Sequence, residues 1–482
     1  MLVRLSKNTF VRIYDDGEIG YVFNQLNRHD RIYTGAGVDL LSALSRTSQD
    51  QEAMIQNLVN QYEGADPLEI YADLTDMLLS LEQGDFVVRG ESEAELLSRD
   101  KSFSYSSEAP KTFIEDFTQS TNEAVQNDTE TYHLIHDRKR PRLSSIQFEL
   151  TSKCNERCIH CYIPNGKKDA GFDMPLSKVN NIIDQFSDMG GLHVTLSGGE
   201  ALLHKDIAEI LRYCREKDLQ ISLLTNLALL KQDLIPVIQE VNVSIVQTSL
   251  YSMDPLVHDM ITKVKGSWHK TMNAIICLYE ANVPVQISCP VMKANCKGYD
   301  RVMKFAQSLK MKAQTDYIMM AQSDLDTSNL SNRISLEDTE ILIREIAKTD
   351  TSYKELREAL QPISSLSDEE LTTMPLCGVG LNQICVTASG DLFPCAGWQA
   401  MTLGNVYKDT LKHIWETSEE LTKLRSVTRA AFPKCLKCEA KDYCSMCMAR
   451  NYNESNGNMF EPPIHTCKVA FLNKRIAEEL LD

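Results

Sequence analysis

Three cysteines, Cys154, Cys158 and Cys161, fall within eight residues, and eight more lie between 377 and 467. In a reducing cytoplasm such clusters point to metal ligands rather than disulfides. Thiolates are the usual ligands of iron–sulfur clusters, and a complete [4Fe–4S] site takes four of them. Three closely spaced thiolates therefore leave one iron open to a ligand from outside the chain. The competing reading is zinc, which prefers four ligands, commonly in two C-x-x-C pairs.

The Cys154–Cys161 segment follows an apolar β-type run, Ile146–Leu150, and so lies at the C-terminal end of a strand, where barrel active sites are built. At the end of the next such run stands Ser197-Gly198-Gly199-Glu200. Glycines lack the Cβ that would keep a ligand from the backbone, and a carboxylate suits an ammonium group. The two motifs, in this order on consecutive strands, resemble the radical S-adenosylmethionine (SAM) superfamily. The resemblance implies that Cys154, Cys158 and Cys161 hold a cluster whose open iron chelates SAM. An electron then cleaves the sulfonium to a 5′-deoxyadenosyl radical, which abstracts hydrogen from an unactivated carbon. It further implies that His160 fills the aromatic place of the cluster motif against the adenine, and that Glu200 meets the amino group of the SAM methionine. Thr225, Asn226 and Ser249 sit where the family places ribose and methionine contacts.

Around these motifs, six β-type runs alternate with helical patterns: Ile146–Leu150, Leu192–Leu196, Leu219–Leu224, Val243–Leu250, Val283–Cys289 and Ala313–Met319. Strands separated by helices predict right-handed βαβ units and a parallel sheet. Six units over 145–330 are too few for a closed eight-stranded barrel, so the fold class is α/β with a partial (β/α)6 barrel. Residues 331–376 read as a helical connection. Cys277 and Cys289 read as core residues.

From Cys377 the chain turns to cysteine, glycine and short strands. Cys377, Gly390 and Cys395, then Cys435-x2-Cys438-x5-Cys444-x2-Cys447 and finally Cys467 resemble the SPASM extension, although the family's last short spacing is commonly three residues rather than two. The resemblance implies two auxiliary [4Fe–4S] clusters. Cys377, Cys395 and Cys447 would hold the first, with Cys385 as its possible fourth ligand. Cys435, Cys438, Cys444 and Cys467 would hold the second. With the SAM cluster this makes three. The competing reading of 435–447 is a structural zinc ribbon.

Residues 1–100 form their own unit. Phe10–Tyr14 and Ile19–Phe23 flank Asp15-Asp16-Gly17, a hairpin signal. Helical spacing follows in Val38–Leu44, Met54–Tyr62 and Leu68–Leu81, with a β-type run at Phe86–Val88. This pattern resembles the PqqD-like, winged-helix recognition element of peptide-modifying systems, which holds a precursor's leader as an added strand. A DNA-binding winged helix is disfavoured, because residues 1–100 carry 8 Lys and Arg against 18 Asp and Glu, 8 − 18 = −10, the wrong sign for phosphate contact. Residues 91 to about 140 lose periodicity, and 101–144 read as a linker or capping segment.

A net charge of −17 over 482 residues argues against nucleic acid as partner. No apolar run is long enough for a membrane helix or a signal peptide, so a cytoplasmic protein is expected. Together the three resemblances imply a maturase of ribosomally made peptides that installs a crosslink, a thioether in preference to a carbon–carbon bond, with flavodoxin or ferredoxin as reductant. The alternatives are a formylglycine-forming sulfatase maturase, a peptide epimerase, and a non-catalytic iron–sulfur protein that carries electrons or senses redox state.

Overall fold

The computed structural model describes residues 1–14, 17–62, 66–106, 140–349, 366–373 and 375–481. The expected turn residues Asp15 and Asp16, most of the 101–144 segment and residues 350–365 of the helical connection lie outside the described residues.

The N-terminal unit holds two three-stranded sheets. Strands β2 (Thr9–Tyr14), β3 (Ile19–Asn24) and β4 (Asp30–Tyr33) form an antiparallel sheet in that order, with Tyr14 opposite Ile19. The other sheet runs β5 (Gln49–Asp50), β1 (Leu2–Leu5), β6 (Val87–Gly90). Helices Ala36–Ala43, Gln51–Val59 and Pro67–Gln83 bury Leu40, Leu41, Ile55, Leu74, Leu78 and Leu81 in the core between them. The third starts where Asp66 accepts a hydrogen bond from the Leu68 amide and Pro67 presets the first turn.

Two elements depart from expectation. β1, only four residues, is too short to show an alternation, yet it is the central strand of its sheet. Glu93–Arg99, inside the stretch that loses periodicity, is a helix capped by Ser92, whose hydroxyl accepts from the Glu95 amide at 3.3 Å. It buries only Leu96, too little to leave a periodic signal. Asp100 beyond it anchors the chain back to β1: its carboxylate takes 2.7 Å and 2.9 Å bonds from Arg4 Nη1 and Ser6 Oγ.

The central sheet places β7 (Ser145–Glu149), β8 (His193–Ser197), β9 (Gln220–Leu224), β10 (Ile245–Ser249), β11 (Val285–Pro290) and β12 (Lys312–Asp316) side by side in chain order, all parallel. This is the expected partial (β/α)6 arrangement. The last strand ends sooner than the apolar run to Met319 suggested. Ile146, Phe148, Val194, Leu196, Ile221, Leu223, Val246 and Ile287 are fully buried in one apolar cluster with the flanking helices. Side chains alternate along a strand, so Gln147, Glu149, Thr195, Ser197, Ser222, Gln247, Ser249, Gln286 and Ser288 share the opposite face. A closed barrel fills that face with bulky branched side chains. Here polar residues outnumber the apolar Leu224, Ile245 and Pro290 on the same face, which suits a polar ligand.

Three further strands extend this sheet. β13 (Gln383–Thr387) lies parallel beside β7, with Thr387 opposite Glu149, and β14 (Asp391–Phe393) and β15 (Gly404–Asn405) continue antiparallel. The cysteine-rich segment thus shares a nine-stranded sheet with the barrel.

The N-terminal unit packs on the end of the sheet away from Cys154. Arg12 donates to the carbonyls of Gly191 (2.8 Å) and Asp218 (2.6 Å), Arg215 donates to Lys7 O, and Gln25 to Asn242 O. Gly191, Asp218 and Asn242 belong to the turns entering β8, β9 and β10. No helix among the described residues is long and apolar enough to cross a membrane.

Candidate cluster and cofactor site

Strand β7 delivers the loop that carries Cys154, Cys158 and Cys161, and the turn after β8 braces it. Gly199 N donates to Thr151 O (2.8 Å) and Glu200 N to Lys153 O (2.9 Å). A Cβ on Gly198 would stand 2.4 Å from Thr151 O, and one on Gly199 2.3 Å from Lys153 O. Gly198 also holds φ at +138°. The glycines are therefore required for close approach to the loop that leads into Cys154, a reason independent of the ligand contact expected of them.

Glu200 is buried. Its carboxylate accepts from Thr225 Oγ1 (2.6 Å), Leu202 N (2.9 Å) and Asn226 N (2.8 Å), three of about four acceptor positions on a carboxylate. Thr225 and Asn226 are thereby tied to the loop after β8, and Asn226 Nδ2 donates to Asn155 Oδ1 beside Cys154 (2.9 Å). Ser249, the last residue of β10, bonds Tyr251.

The Tyr251 hydroxyl lies 3.8 Å from Cys158 Sγ and 3.5 Å from His160 Nε2, with the two rings crossing edge to face at 5.0 Å. Glu156 Oε2 is 3.4 Å from Cys158 Sγ. Burial pushes the Cys154 thiol up to about 11 and Cys158 well above its ordinary value, and the neighbouring cysteines add to both shifts. Burial and the Lys168 charge push His160 down to about 4, so its ring is neutral. A bound cation reverses this logic and deprotonates coordinating thiols outright. Glu156, Tyr251 and the buried Lys168 escaped the sequence reading. Glu156 and Lys168 lie inside or just after the motif but outside its pattern, and Tyr251 arrives from another strand.

The C-terminal cysteines sort into two neighbourhoods. Cys395 acts electrostatically with Cys447 and Cys377, and Cys377 with Cys447. Separately, Cys444 acts with Cys467, Cys435 and Cys438. Cys385 is fully buried in mid-β13, with Glu149, Cys395 and Lys167 as its charged or ionisable neighbours. Of the cysteines outside every motif, Cys214 and Cys289 are fully buried, whereas Cys277, expected in the core, is only partly so.

Among the described residues no three Cys, His, Asp or Glu side chains converge on a single-ion position. A four-iron cluster, whose thiolates bind separate irons, does not require such convergence. The surroundings fit a sulfide-rich group: each of the three places has a buried nitrogen without a partner. They include the nitrogens His160 Nδ1 in the first loop, Trp398 Nε1 near Cys395, and Arg450 Nε near Cys444.

A polar bridge joins the first loop to the C-terminal segment. Gln399 Nε2 donates to Glu149 Oε1 (2.7 Å), Tyr162 OH reaches the same oxygen at 3.5 Å, and Lys167 Nζ donates to Gln399 Oε1 (3.0 Å). Burial pushes the Glu149 carboxyl up to about 7, against the lowering pull of Gln399 and Lys167. The folded state therefore holds this proton more tightly than the unfolded chain. A destabilising term grows as pH rises from about 4.5 towards 7 and stays above that. An anionic cluster nearby would act in the same direction. Glu149→Gln, which keeps the acceptor oxygen, is expected to gain stability relative to wild type between pH 5 and pH 8 in urea denaturation. An equal difference at both values would refute the assignment.

Residues 148–306 match the Radical SAM superfamily and residues 377–439 match SPASM, an iron–sulfur cluster-binding domain. An AdoMet-dependent heme synthase of Methanosarcina barkeri is 26% identical over 342 residues, covering 67% of this chain and 95% of that protein. The antilisterial bacteriocin subtilosin biosynthesis protein AlbA of Bacillus subtilis is 25% identical over 323 residues, 64% of this chain and 68% of that protein. In three dimensions the chain resembles Streptococcus suis SuiB bound to precursor peptide SuiA, with a TM-score of 0.63 at 15% identity over 96% of this chain and 99% of that one. The chain thus carries a Radical SAM domain followed by a SPASM iron–sulfur cluster-binding domain, on the α/β fold that such enzymes share.

Proposed function

We propose that the chain is a radical SAM maturase that abstracts hydrogen from a residue of a ribosomally made precursor peptide and installs a crosslink, with a thioether favoured. The observation that carries this reading is the polar face of β7–β11, which ends at the Cys154–Cys161 loop and meets the SPASM segment through Gln399 and Glu149. When bound, SAM and its cluster supply a 5′-deoxyadenosyl radical. Cys154, Cys158 and Cys161 would hold that cluster. His160, Ser197, Gly198, Gly199, Glu200, Asn226 and Ser249 would line the SAM site, and the two C-terminal cysteine groups would hold two auxiliary clusters, with Cys385 beside the first.

Residues 1–100 would recognise the leader as an added strand, and 145–330 and 377–482 would form the catalytic and auxiliary-cluster units. The likeness to SuiB, a protein whose solved structure contains a precursor peptide, extends over 96% of the chain and so includes the N-terminal unit. A flavodoxin or ferredoxin would supply electrons. Because the N-terminal unit packs at the strand ends opposite Cys154, a bound leader must run past the sheet to bring its core residue to the radical.

Mass spectrometry of a candidate precursor, after incubation with the reconstituted protein, SAM and dithionite, tests the reading. Loss of two hydrogens per event is expected, and an unmodified peptide alongside SAM cleavage would overturn the peptide assignment. Unchanged mass with solvent deuterium uptake would mean epimerisation instead. The 26% identity to a heme synthase favours a second reading, a tetrapyrrole substrate. Parallel incubation with an iron porphyrin separates the two.

A further inference from the structure

Tyr251 stands just beyond the end of β10 (Ile245–Ser249) and is buried, 5% exposed. Its main chain is fixed on both sides. The amide donates to His258 Nδ1 at 3.3 Å, and the carbonyl accepts from Asn295 Nδ2 at 2.8 Å. Asn295 is itself held, its Oδ1 accepting from the Met292 amide at 2.8 Å. The ring packs with Ile261 and Met292 in a small apolar cluster against Cys158 and Ile159. It also meets the rings of His160 and His258, with centroids 5.0 Å and 5.3 Å away. A side chain seated on every side in this way holds its hydroxyl in one place.

That hydroxyl faces Cys158 Sγ at 3.8 Å, His160 Nε2 at 3.5 Å and the Ser249 side chain. A tyrosine hydroxyl has one hydrogen to donate and lone pairs with which to accept. Ser249 brings a hydrogen of its own, and the His160 ring carries one on at least one nitrogen. A ligated Cys158 differs from both, because a thiolate can only accept. Hydrogen bonds to an ionised partner are about twice as strong as neutral ones, so the single hydrogen of Tyr251 goes to the sulfur. Glu156 Oε2 also reaches that sulfur, at 3.4 Å.

We propose that Tyr251 is a positioning residue for the SAM-binding cluster: its hydroxyl donates to the Cys158 thiolate and raises the potential at which that cluster takes up an electron. The reduced form carries one more negative charge than the oxidised form, so a donor on a ligand sulfur stabilises it more. No bond is made or broken, and the proton stays on the Tyr251 oxygen. The proposal rests on the iron–sulfur reading of Cys154, Cys158 and Cys161 and adds a residue from another strand that tunes the same site.

The test is a redox titration of the cluster-loaded full chain, followed by electron paramagnetic resonance, in which the cluster with the open iron is the one whose signal changes when SAM is added. In Tyr251→Phe, which keeps the ring and leaves Glu156 in place, the reduced-to-oxidised ratio of that cluster at a fixed potential is expected to fall about three- to tenfold. A tenfold fall is a shift of about 59 mV for one electron. Signals insensitive to SAM should keep their midpoints, and SAM affinity should stay within about twofold, because the contact with the His160 ring remains. Replacing Tyr251 by a fluorinated tyrosine, a more acidic phenol and stronger donor, should move the midpoint in the opposite direction. Tyr105→Phe is the control: it deletes a buried hydroxyl that donates to Val283 O at the entry to β11, and should leave the midpoint unchanged. A wild-type midpoint in both Tyr251 variants overturns the proposal, as does an equal shift in Tyr105→Phe. Absence of any SAM-sensitive signal from the wild-type protein would instead strike the cluster reading on which it rests.

Discussion

Cys158→Ala is expected to abolish SAM cleavage while leaving iron bound at the two C-terminal cysteine groups, the proposed auxiliary sites. Only three thiols stand on the loop after β7, so none is spare, and Cys158 is the one held between Tyr251 and Glu156. Removing an outer partner of a metal ligand typically costs about 10- to 100-fold in affinity or activity, and removing one of three ligands exceeds that. The release of 5′-deoxyadenosine should drop below detection, and iron content should fall by one cluster's worth. Cys296→Ala, outside all three groups, should change neither. Retained SAM cleavage in Cys158→Ala would refute the assignment of the open iron site.

Gly199→Ala is expected to cost about 2–4 kcal/mol of stability, as a backbone clash that cannot relax, and to lower cluster incorporation at Cys154. The new methyl group would lie 2.3 Å from Lys153 O and 2.6 Å from Ser152 O, both main-chain atoms that no rotamer change can move. Relief requires displacing the residue next to Cys154 and breaking the Glu200 N to Lys153 O bond. Gly198→Ala adds an unfavourable φ to a similar clash. By contrast Gly166→Ala meets nothing within 4 Å and should stay within about 0.5 kcal/mol of wild type. Chemical denaturation and iron content read both effects. Wild-type values for Gly199→Ala would mean that the loop is not held as described.

Local pattern and tertiary context divided the remaining work unevenly. Strands β7–β11 were readable because apolar residues dominate one face of each and helices lie between them, a signal carried within a few residues; β12, with Ala313 as its one apolar residue, was readable from the apolar run beyond it. The Cys154, Cys158 and Cys161 loop was readable because all three cysteines lie on one short segment. β1 and the Glu93–Arg99 helix were not, since four residues, or one buried leucine, carry too little periodicity to stand out.

The sequence by itself determined which residue types could hold clusters, the order of the strands, and the acidic net charge. Tertiary structure alone decided how distant segments meet: that β13 joins β7 and that Gln399 closes on Glu149. It also decided that Gly198 and Gly199 are needed to pass the backbone of the Cys154 loop. The physical reason is the same in each case. Spacing within a strand or loop is set by bonded geometry and can be read along the chain, whereas pairings between residues hundreds of positions apart depend on which surfaces the folded chain brings into contact.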